Sequence, residues 1–582
     1  MGNGLVVIGN LTISSGLDMS SSQYPISVEG NWTNTGTFTG RSALVTFNGK
    51  TGQTINGSQS YQALVINNNA GVSITGGTTS IKDSLKIARG TFTTNNALVL
   101  LSTQTKTARI ATIPSGSSLS GKITMQRSVK GGQAGFRHLA FPMTDITISE
   151  LNDDIFLTGV AGAGNGWENY WANVYWYDED YASSGSMDSG WVAVKNINES
   201  LDPYKGYSVW MYKTDLPKVL DISGTPLTGN VSVPLTYNGN GSPAENGWNL
   251  VPNPYPSAID WDHPEVVTNA SVAEGIYMWN PNTQQYSSYV NGIGTNGGSR
   301  YIASGQAFYV QTTGNAPTLT LTENVKSSAN PAFIQNQSPS PHLLSLVLSD
   351  GTFSDETVVG LHPAGTLNLD KGLDAVKLPS RNPAVPYLAS QSADGDLAIN
   401  LVQANNPMIT IPLSVRVNSN GTYTFSAHSG ISGLFYLEDR REKSFTALSG
   451  GSYTVQLSTE DNPDRFVLHL LPEEMTVETN SENQTTVTTP LATTSQPAGH
   501  QYEEALMAVI GPGKVGIDLT SFNAEQTITL SFYDLSGKLI YTATTYGAGT
   551  PVIHLPPSFE GLLLGTISTE NTRQSKLLYI GR

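Results

Sequence analysis

The segment Ile528-Thr-Leu-Ser-Phe-Tyr-Asp-Leu-Ser-Gly-Lys-Leu-Ile-Tyr541 decides the fold class. Apolar residues alternate on both sides of Asp534 and Gly537, and those two residues supply turn chemistry. The pattern is that of a β-hairpin. Working outward, further runs of the same kind fill the tail: Leu506–Ile510, Lys514–Asp518, Pro551–His554, Gly561–Ser568 and Lys576–Ile580, beside Ile528–Tyr533 and Lys538–Ala543. Gly, Asn and Pro break them, as they do between strands. Residues 502–582 are expected to form a separate Ig-like β-sandwich.

This tail resembles the type A C-terminal sorting domain of type IX secretion cargo from Bacteroidetes-like bacteria. The resemblance rests on Phe532-Tyr-Asp-Leu-Ser-Gly-Lys-Leu-Ile540, Phe559-Glu-Gly-Leu-Leu-Leu564 and Lys576-Leu-Leu-Tyr-Ile580. It implies a seven-stranded sandwich that directs folded cargo across the outer membrane. The implied partners are the type IX translocon and its outer-membrane shuttle β-barrel protein, and the implied destination is the cell surface or the medium. Tyr533, Asp534, Gly537, Lys538, Gly561 and Lys576 are the implied recognition residues. Two features depart from the pattern: Leu562 stands where an aromatic is usual, and the chain continues to Gly581-Arg582. An ordinary terminal Ig-like module is the other reading.

The chain has 582 residues, room for about four domains. Its 58 glycines and 13% charged residues fit a turn-rich, all-β protein. A net charge of −16 disfavours nucleic acid and anionic membranes as partners. With no cysteine, disulfides and thiolate metal sites are excluded. No apolar run approaches the length of a membrane-spanning helix. Met1-Gly-Asn-Gly-Leu-Val-Val-Ile8 lacks the basic and apolar regions of a signal peptide. With a sorting tail implied, an export signal is expected upstream, in a longer precursor.

Residues 1–110 carry short apolar runs separated by Gly/Asn/Ser/Thr turns: Leu5–Ile13, Ile26–Trp32, Leu44–Gly49, Leu64–Asn68, Leu85–Ile87 and Leu98–Leu101. Gly-Asn recurs at Gly9-Asn10 and Gly30-Asn31. Such inexact repetition predicts a β-solenoid of four or five coils; a sandwich is the alternative. The stretch Val45–Gly57 followed by Leu64–Asn68 resembles the filamentous β-helical repeats of large Bacteroidetes surface adhesins. Polysaccharide lyases also use β-helices, but the Arg/Lys/Asp cluster needed to abstract a proton beside a carboxylate is missing.

Residues 111–227 and 228–330 read as two copies of one β-module. Gly121–Met125 matches Gly229–Val233, Gly135–Pro142 matches Gly247–Pro254, Val174–Asp178 matches Ile276–Asn280, and Tyr204–Trp210 matches Ser304–Val310. The first copy is rich in aromatics from Trp167 to Tyr212. They read either as a glycan-stacking face, with Trp171, Trp176 and Trp191 the candidates, or as core, since aromatics contribute the largest apolar surfaces. The acidic groups nearby, Asp153-Asp154, Asp178-Glu-Asp180, Asp260 and Asp262, read as solvated turns, as a hydrolytic pair or as a Ca²⁺ site, with Asp178 and Asp180 the candidate ligands. Otherwise no cofactor is expected. Asn253-Pro-Tyr-Pro256 reads as a rigid hinge loop, with a cis bond before Pro256 conceivable.

Residues 335–472 show about eight strands and predict a β-sandwich. Gly372–Leu378, Leu437–Asp439 and Asp464–His469 resemble the sandwich that precedes the sorting domain in many secreted Bacteroidetes proteins. Arg465 and Asp439 are expected to pair at the sheet edge. Residues 473–501, rich in Glu, Thr, Ser, Asn and Gln, read as a flexible tether. Asp83-Ser-Leu85 fits a short bacterial O-glycosylation motif on Ser84. The sequence holds no nucleophile elbow, zincin motif, P-loop or dinucleotide fingerprint, and His138, His263, His428 and His469 are scattered. The expected function is non-enzymatic: an adhesin-like or structural surface protein, with glycan binding or glycan hydrolysis as the alternative.

Overall fold

The computed structural model describes residues 4–19, 24–181, 187–240, 245–331, 343–403, 409–431, 433–449, 451–472, 476–479, 485–488, 506–511, 513–520, 522–534, 538–556, 559, 561–569 and 573–580. The protein is all-β; among the described residues the helices are single 3-10 turns such as Ile148–Leu151 and Lys213–Asp215.

The chain begins as a solenoid. One parallel sheet stacks Leu5–Val7, Ile26–Val28, Leu44–Phe47, Gln59–Asn67, Thr79–Arg89, Leu98–Leu100 and Ile123–Val129. A second stacks Leu11–Ile13, Trp32–Asn34, Gln53–Asn56, Val72–Gly76, Thr91–Thr93 and Ser118–Ser120. Equivalent residues of successive coils sit in register: Ile26 on Val45, Val45 on Leu64, Leu64 on Leu85 and Leu85 on Ile110. All five are buried. This is why the apolar runs recur so regularly: each coil buries one column of side chains against its neighbours. The Gly-Asn repeats fall where the turns stack. The Asn31 N–H donates to Asn10 Oδ1 at 2.8 Å, and a Cβ on Gly30 would lie 2.4 Å from the Gly9 backbone. The solenoid has six coils rather than four or five. It also runs past residue 110, because Ser118–Ser120 and Ile123–Val129 continue its two sheets. The polar, Pro- and Ser-containing stretch from Pro114 to Ser117 breaks the apolar rhythm before these strands.

Ile123–Val129 joins the solenoid to the first copy by pairing antiparallel with Lys218–Pro226 on its other side. The parallel sheet therefore presents no open edge here, and one core runs from Ile13 through Val28 and Leu100 to Leu157, Val209 and Ile222.

The two copies share one topology. In the first, the strand order is Gly135–Ala140, Gly206–Met211, Val174–Tyr177, Trp191–Ala193. In the second it is Trp248–Pro252, Ala307–Thr312, Val272–Asn280, Gln285–Val290, then Ile293–Thr295. The pairing register refines the repeat. Val174 pairs Val209 as Ile276 pairs Val310, and Ala140 pairs Gly206 as Pro252 pairs Ala307. Tyr207 is thus the equivalent of Phe308, one residue along from the sequence match of Tyr204–Trp210 with Ser304–Val310. The copies pack directly on each other: Ala140 N–H donates to Gly305 O at 2.9 Å and Trp279 Nε1 to Phe136 O at 3.0 Å. Gly206 is needed at this contact, since a Cβ there would lie 2.7 Å from Leu250 Cγ and 2.8 Å from Ala307 Cβ. The Asn253–Pro256 loop is a keystone rather than a hinge. Asn253 Nδ2 donates to the Ser257, Ile302 and Ala303 carbonyls, and Tyr255 Oη to those of Gly229 and Leu321. Its Tyr255–Pro256 bond is trans; the cis bond among the described residues precedes Pro217.

From Leu343 to Pro472 eleven strands form one sheet that curls until its end strands, Ser444–Ala447 and Ser452–Leu457, approach. It packs on the second copy through a core of Trp248, Tyr277, Tyr309, Val358, Val376 and Ile399. Arg465 and Asp439 do pair, at 2.8 and 2.5 Å, but buried, and Tyr453 and Asp461 join them. This network stitches the sheet's two ends together. In the stretch read as a tether, Thr476–Thr479 and Thr485–Thr488 form an antiparallel ribbon, in keeping with their β-branched composition; the rest of that stretch lies outside the described residues.

The tail has the seven expected strands. Leu506–Gly511, Lys514–Asp518 and Val552–His554 form one sheet; Leu539–Tyr546, Thr527–Tyr533, Gly561–Ser568 and Arg573–Ile580 form the other. Val515, Ile517, Ile528, Leu530, Phe532, Leu563 and Ile567 fill a core of their own. The alternation that marked Ile528–Phe532 as a strand is the alternation that buries these side chains.

Candidate functional site

The aromatics of the first copy divide by the side of the sheet they occupy. Tyr177, Tyr207 and Val209 are buried. The three Trp candidates are not brought together. Trp176 is half-buried, packs against the core and carries Lys205 Nζ 3.5 Å from its ring centre. Trp191 is half-buried beside His138, with the Arg381 guanidinium 4.7 Å from its ring centre. Trp171 alone projects, 89% exposed.

Next to Trp171 in the chain lies a ledge built from members of the same aromatic run, Trp167, Tyr170 and Tyr212, together with Phe156, which lies outside that run. Trp167 and Tyr170 pack with ring centres 4.2 Å apart and planes tilted by 37°, and Phe156 meets Trp167 and Tyr212 edge-on at 6.0 and 6.1 Å. Phe156, Trp167 and Tyr170 are all exposed. The loop beneath is held by buried or half-buried polar side chains. Asn173 accepts from Thr158 N–H at 2.9 Å and donates to the Phe156 carbonyl at 2.8 Å. Thr158 Oγ1 donates to the Trp171 carbonyl at 2.8 Å, and Asn165 Nδ2 to that of Leu157 at 2.6 Å. Glu168 accepts backbone N–H groups, which hold its carboxyl below the usual range. In the second copy Trp261 points inward: it is 7% exposed and its Nε1 donates to Glu274 O at 2.9 Å. The signal for the ledge lay in Phe156 and Trp167 flanking a Gly-rich loop, a spacing without strand or helix period.

Several of the acidic groups are engaged within the fold. Glu179 is buried and accepts from Asn238 and Gly247 N–H groups, while Asp178 accepts from Asp180 N–H at 3.2 Å. Asp260 and Asp262 hold Arg300, and Asp154 holds Lys218. Among the described residues no group of three or more acidic or histidine side chains is placed to hold a metal ion. His138 sits in an aromatic cage of Trp191, Trp279, Tyr286 and Tyr309, and burial, helped by Arg381, pushes its imidazole down to about 3. Ser84 is half-buried in a strand paired on both sides, to Ala63 and Arg109.

In the tail, Tyr533 ends a strand, and Asp534 closes the hairpin by its backbone N–H to Lys538 O and its Oδ1 to Lys538 N, both at 3.0 Å. Lys538 is exposed, Gly561 pairs with Ile580 and Lys576 with Gly565. Gly537 lies outside the described residues.

A family model described as a domain of unknown function, DUF8693, matches residues 23–470. The chain belongs to this family. The DUF8693 match begins within the solenoid and ends inside the Phe466–Pro472 strand, so it covers the continuous body and stops before the tail. No curated protein matches the chain. One solved structure, described as a tetra-tandem repeat in the extending region of a large adhesion protein, is similar at 9% identity over 70% of this chain and 89% of that one, with a TM-score of 0.10.

Proposed function

We propose that this DUF8693 protein is a non-enzymatic, adhesin-like or structural surface protein whose C-terminal sandwich serves as a type IX sorting domain. The observation that supports this is the autonomy of the tail. It has seven strands in two sheets around a private core, and it follows the family body instead of belonging to it. A signal read by a translocon and an outer-membrane shuttle protein has to fold irrespective of its cargo. Delivery to the outer surface or the medium follows from this reading. Expression of the chain behind an export signal in a host with type IX secretion, with and without residues 502–582, tests it. Loss of surface protein on deletion is expected; undiminished surface protein would sink the sorting assignment.

The ledge supports a second reading, carbohydrate binding by the body. Exposed rings fixed on a braced loop suit the apolar C–H face of a sugar, and contiguous exposed apolar groups mark interaction sites. On a glycan array, W171A and W167A are expected to lose binding while retaining the parent melting temperature. An array without any binding removes this reading.

A further inference from the structure

A cavity of about 460 Å³ lies where the last solenoid turn, the first copy, the hairpin of the second copy and Asn330-Pro331 converge. Its charge is the reverse of the chain's. Lys106, Arg127, Lys130 and Arg137 line it, and none of its lining side chains among the described residues is acidic, in a protein of net charge −16. Arg137 is 4% exposed; among the described residues its Nη1 and Nη2 donate to the Gly135 and Gln133 carbonyls, at 2.6 and 2.8 Å, and its buried Nε has no hydrogen-bond partner. Arg127, also buried, donates from Nη1 to Thr107 Oγ1 at 3.1 Å. Burial pushes both guanidinium groups down to about 10. Lys106 is held at the rim by Asp83 at 2.8 Å, and Lys130 is exposed.

The guanidinium of Arg137, buried with no carboxylate partner among the described residues, is costly to keep. A fold that retains one beside a cavity has room for the counter-ion to come from a ligand, and arginine suits planar carboxylates best. The remaining lining is mostly hydroxyl and amide, including Thr105, Ser128 and Asn282, with Val129, Pro281 and Pro331 as its apolar part and no aromatic ring among the described residues. The cavity is held open by cross-module bonds: Asn330 Nδ2 donates to Thr105 O at 2.8 Å and Asn330 Oδ1 accepts from Thr107 N–H at 3.2 Å. Its size falls within the range of small-molecule sites.

We infer that this cavity binds a carboxylated sugar residue, of the uronic acid class, with Arg137 and Lys130 facing its carboxylate and the Thr, Ser and Asn groups facing its hydroxyls. The site lies within the body, shares no lining residue with the aromatic ledge, and rests on neither proposal above. Calorimetric titration of the full chain with galacturonate and glucuronate, beside galactose and acetate, tests it. Both uronates are expected to bind, more weakly as salt is raised, with galactose silent and acetate at least about tenfold weaker. K130Q, an exposed change, is expected to weaken uronate binding roughly tenfold, R137Q to abolish it, and W171A to leave it intact. If R137Q does not fold, K130Q decides alone. A folded chain that binds neither uronate, uronate affinity unchanged by K130Q and R137Q, or acetate binding as tightly as uronate would each overturn the inference.

Discussion

His138 and the Arg465–Asp439 pair show what single residues do here. His138 is caged by four aromatic rings with Arg381 nearby, and its imidazole stays neutral down to about 3 against an ordinary 6.5. The unfolded chain takes up that proton and the folded one does not, so its contribution is full above 6.5 and is lost as pH falls towards 3. Asp374 works in the opposite sense. Burial raises its carboxyl to about 6, so the folded state gains from protonation below that value and loses the gain as pH rises through it. The difference between parent and H138F isolates the histidine: urea melts are expected to show the parent losing about 1.4 kcal/mol more per pH unit below 6.5 than the variant. Equal slopes would mean the imidazole is solvated. D439N leaves the buried Arg465 with only part of its counter-charge and is expected to cost about 3 kcal/mol in the same assay. The pairing of Arg465 with Asp439 was legible from two charged residues in neighbouring strands. Its burial was not, because sequence does not say that the sheet curls and brings Tyr453 and Asp461 onto them.

Among elements, those with a strict period were readable and those built by convergence were not. All seven tail strands follow from alternation and turn residues, as do the stacked columns of the solenoid. The solenoid's end was misplaced because Ile123–Val129 has two identities, a parallel coil strand on one side and an antiparallel partner on the other. The duplication was readable from four matched segments, yet the fourth, which becomes Gly206–Met211 and Ala307–Thr312, needed the ladder register to place it. The aromatic run from Trp167 to Tyr212 was legible as a candidate face, but its exposed rings and the part of Phe156 were not, because a loop has no period and the exposure of Trp167 and Tyr170 depends on how Thr158, Asn165 and Asn173 fold the chain back. One element-scale prediction follows from the columns. Leu64 is fully buried between Val45 and Leu85, so L64A is expected to lose about 3 kcal/mol in denaturant melts. A loss below about 1 kcal/mol would mean that the coils can close over the gap.

At the scale of the whole molecule, solenoid, two copies and curled sheet share cores from Ile13 to Leu470, whereas the tail keeps its own. Calorimetry of the full chain is expected to show two transitions, and a chain ending at residue 472 to retain the body's transition at the same temperature. A body transition that shifts on truncation would mean that body and tail are coupled. The most direct test of the account transfers the tail alone. Residues 502–582, fused behind an export signal and an unrelated folded reporter in a host with type IX secretion, are predicted to bring the reporter to the cell surface, where external protease destroys it. A reporter that stays protected in the periplasm, with the tail folded and intact, would contradict the central claim.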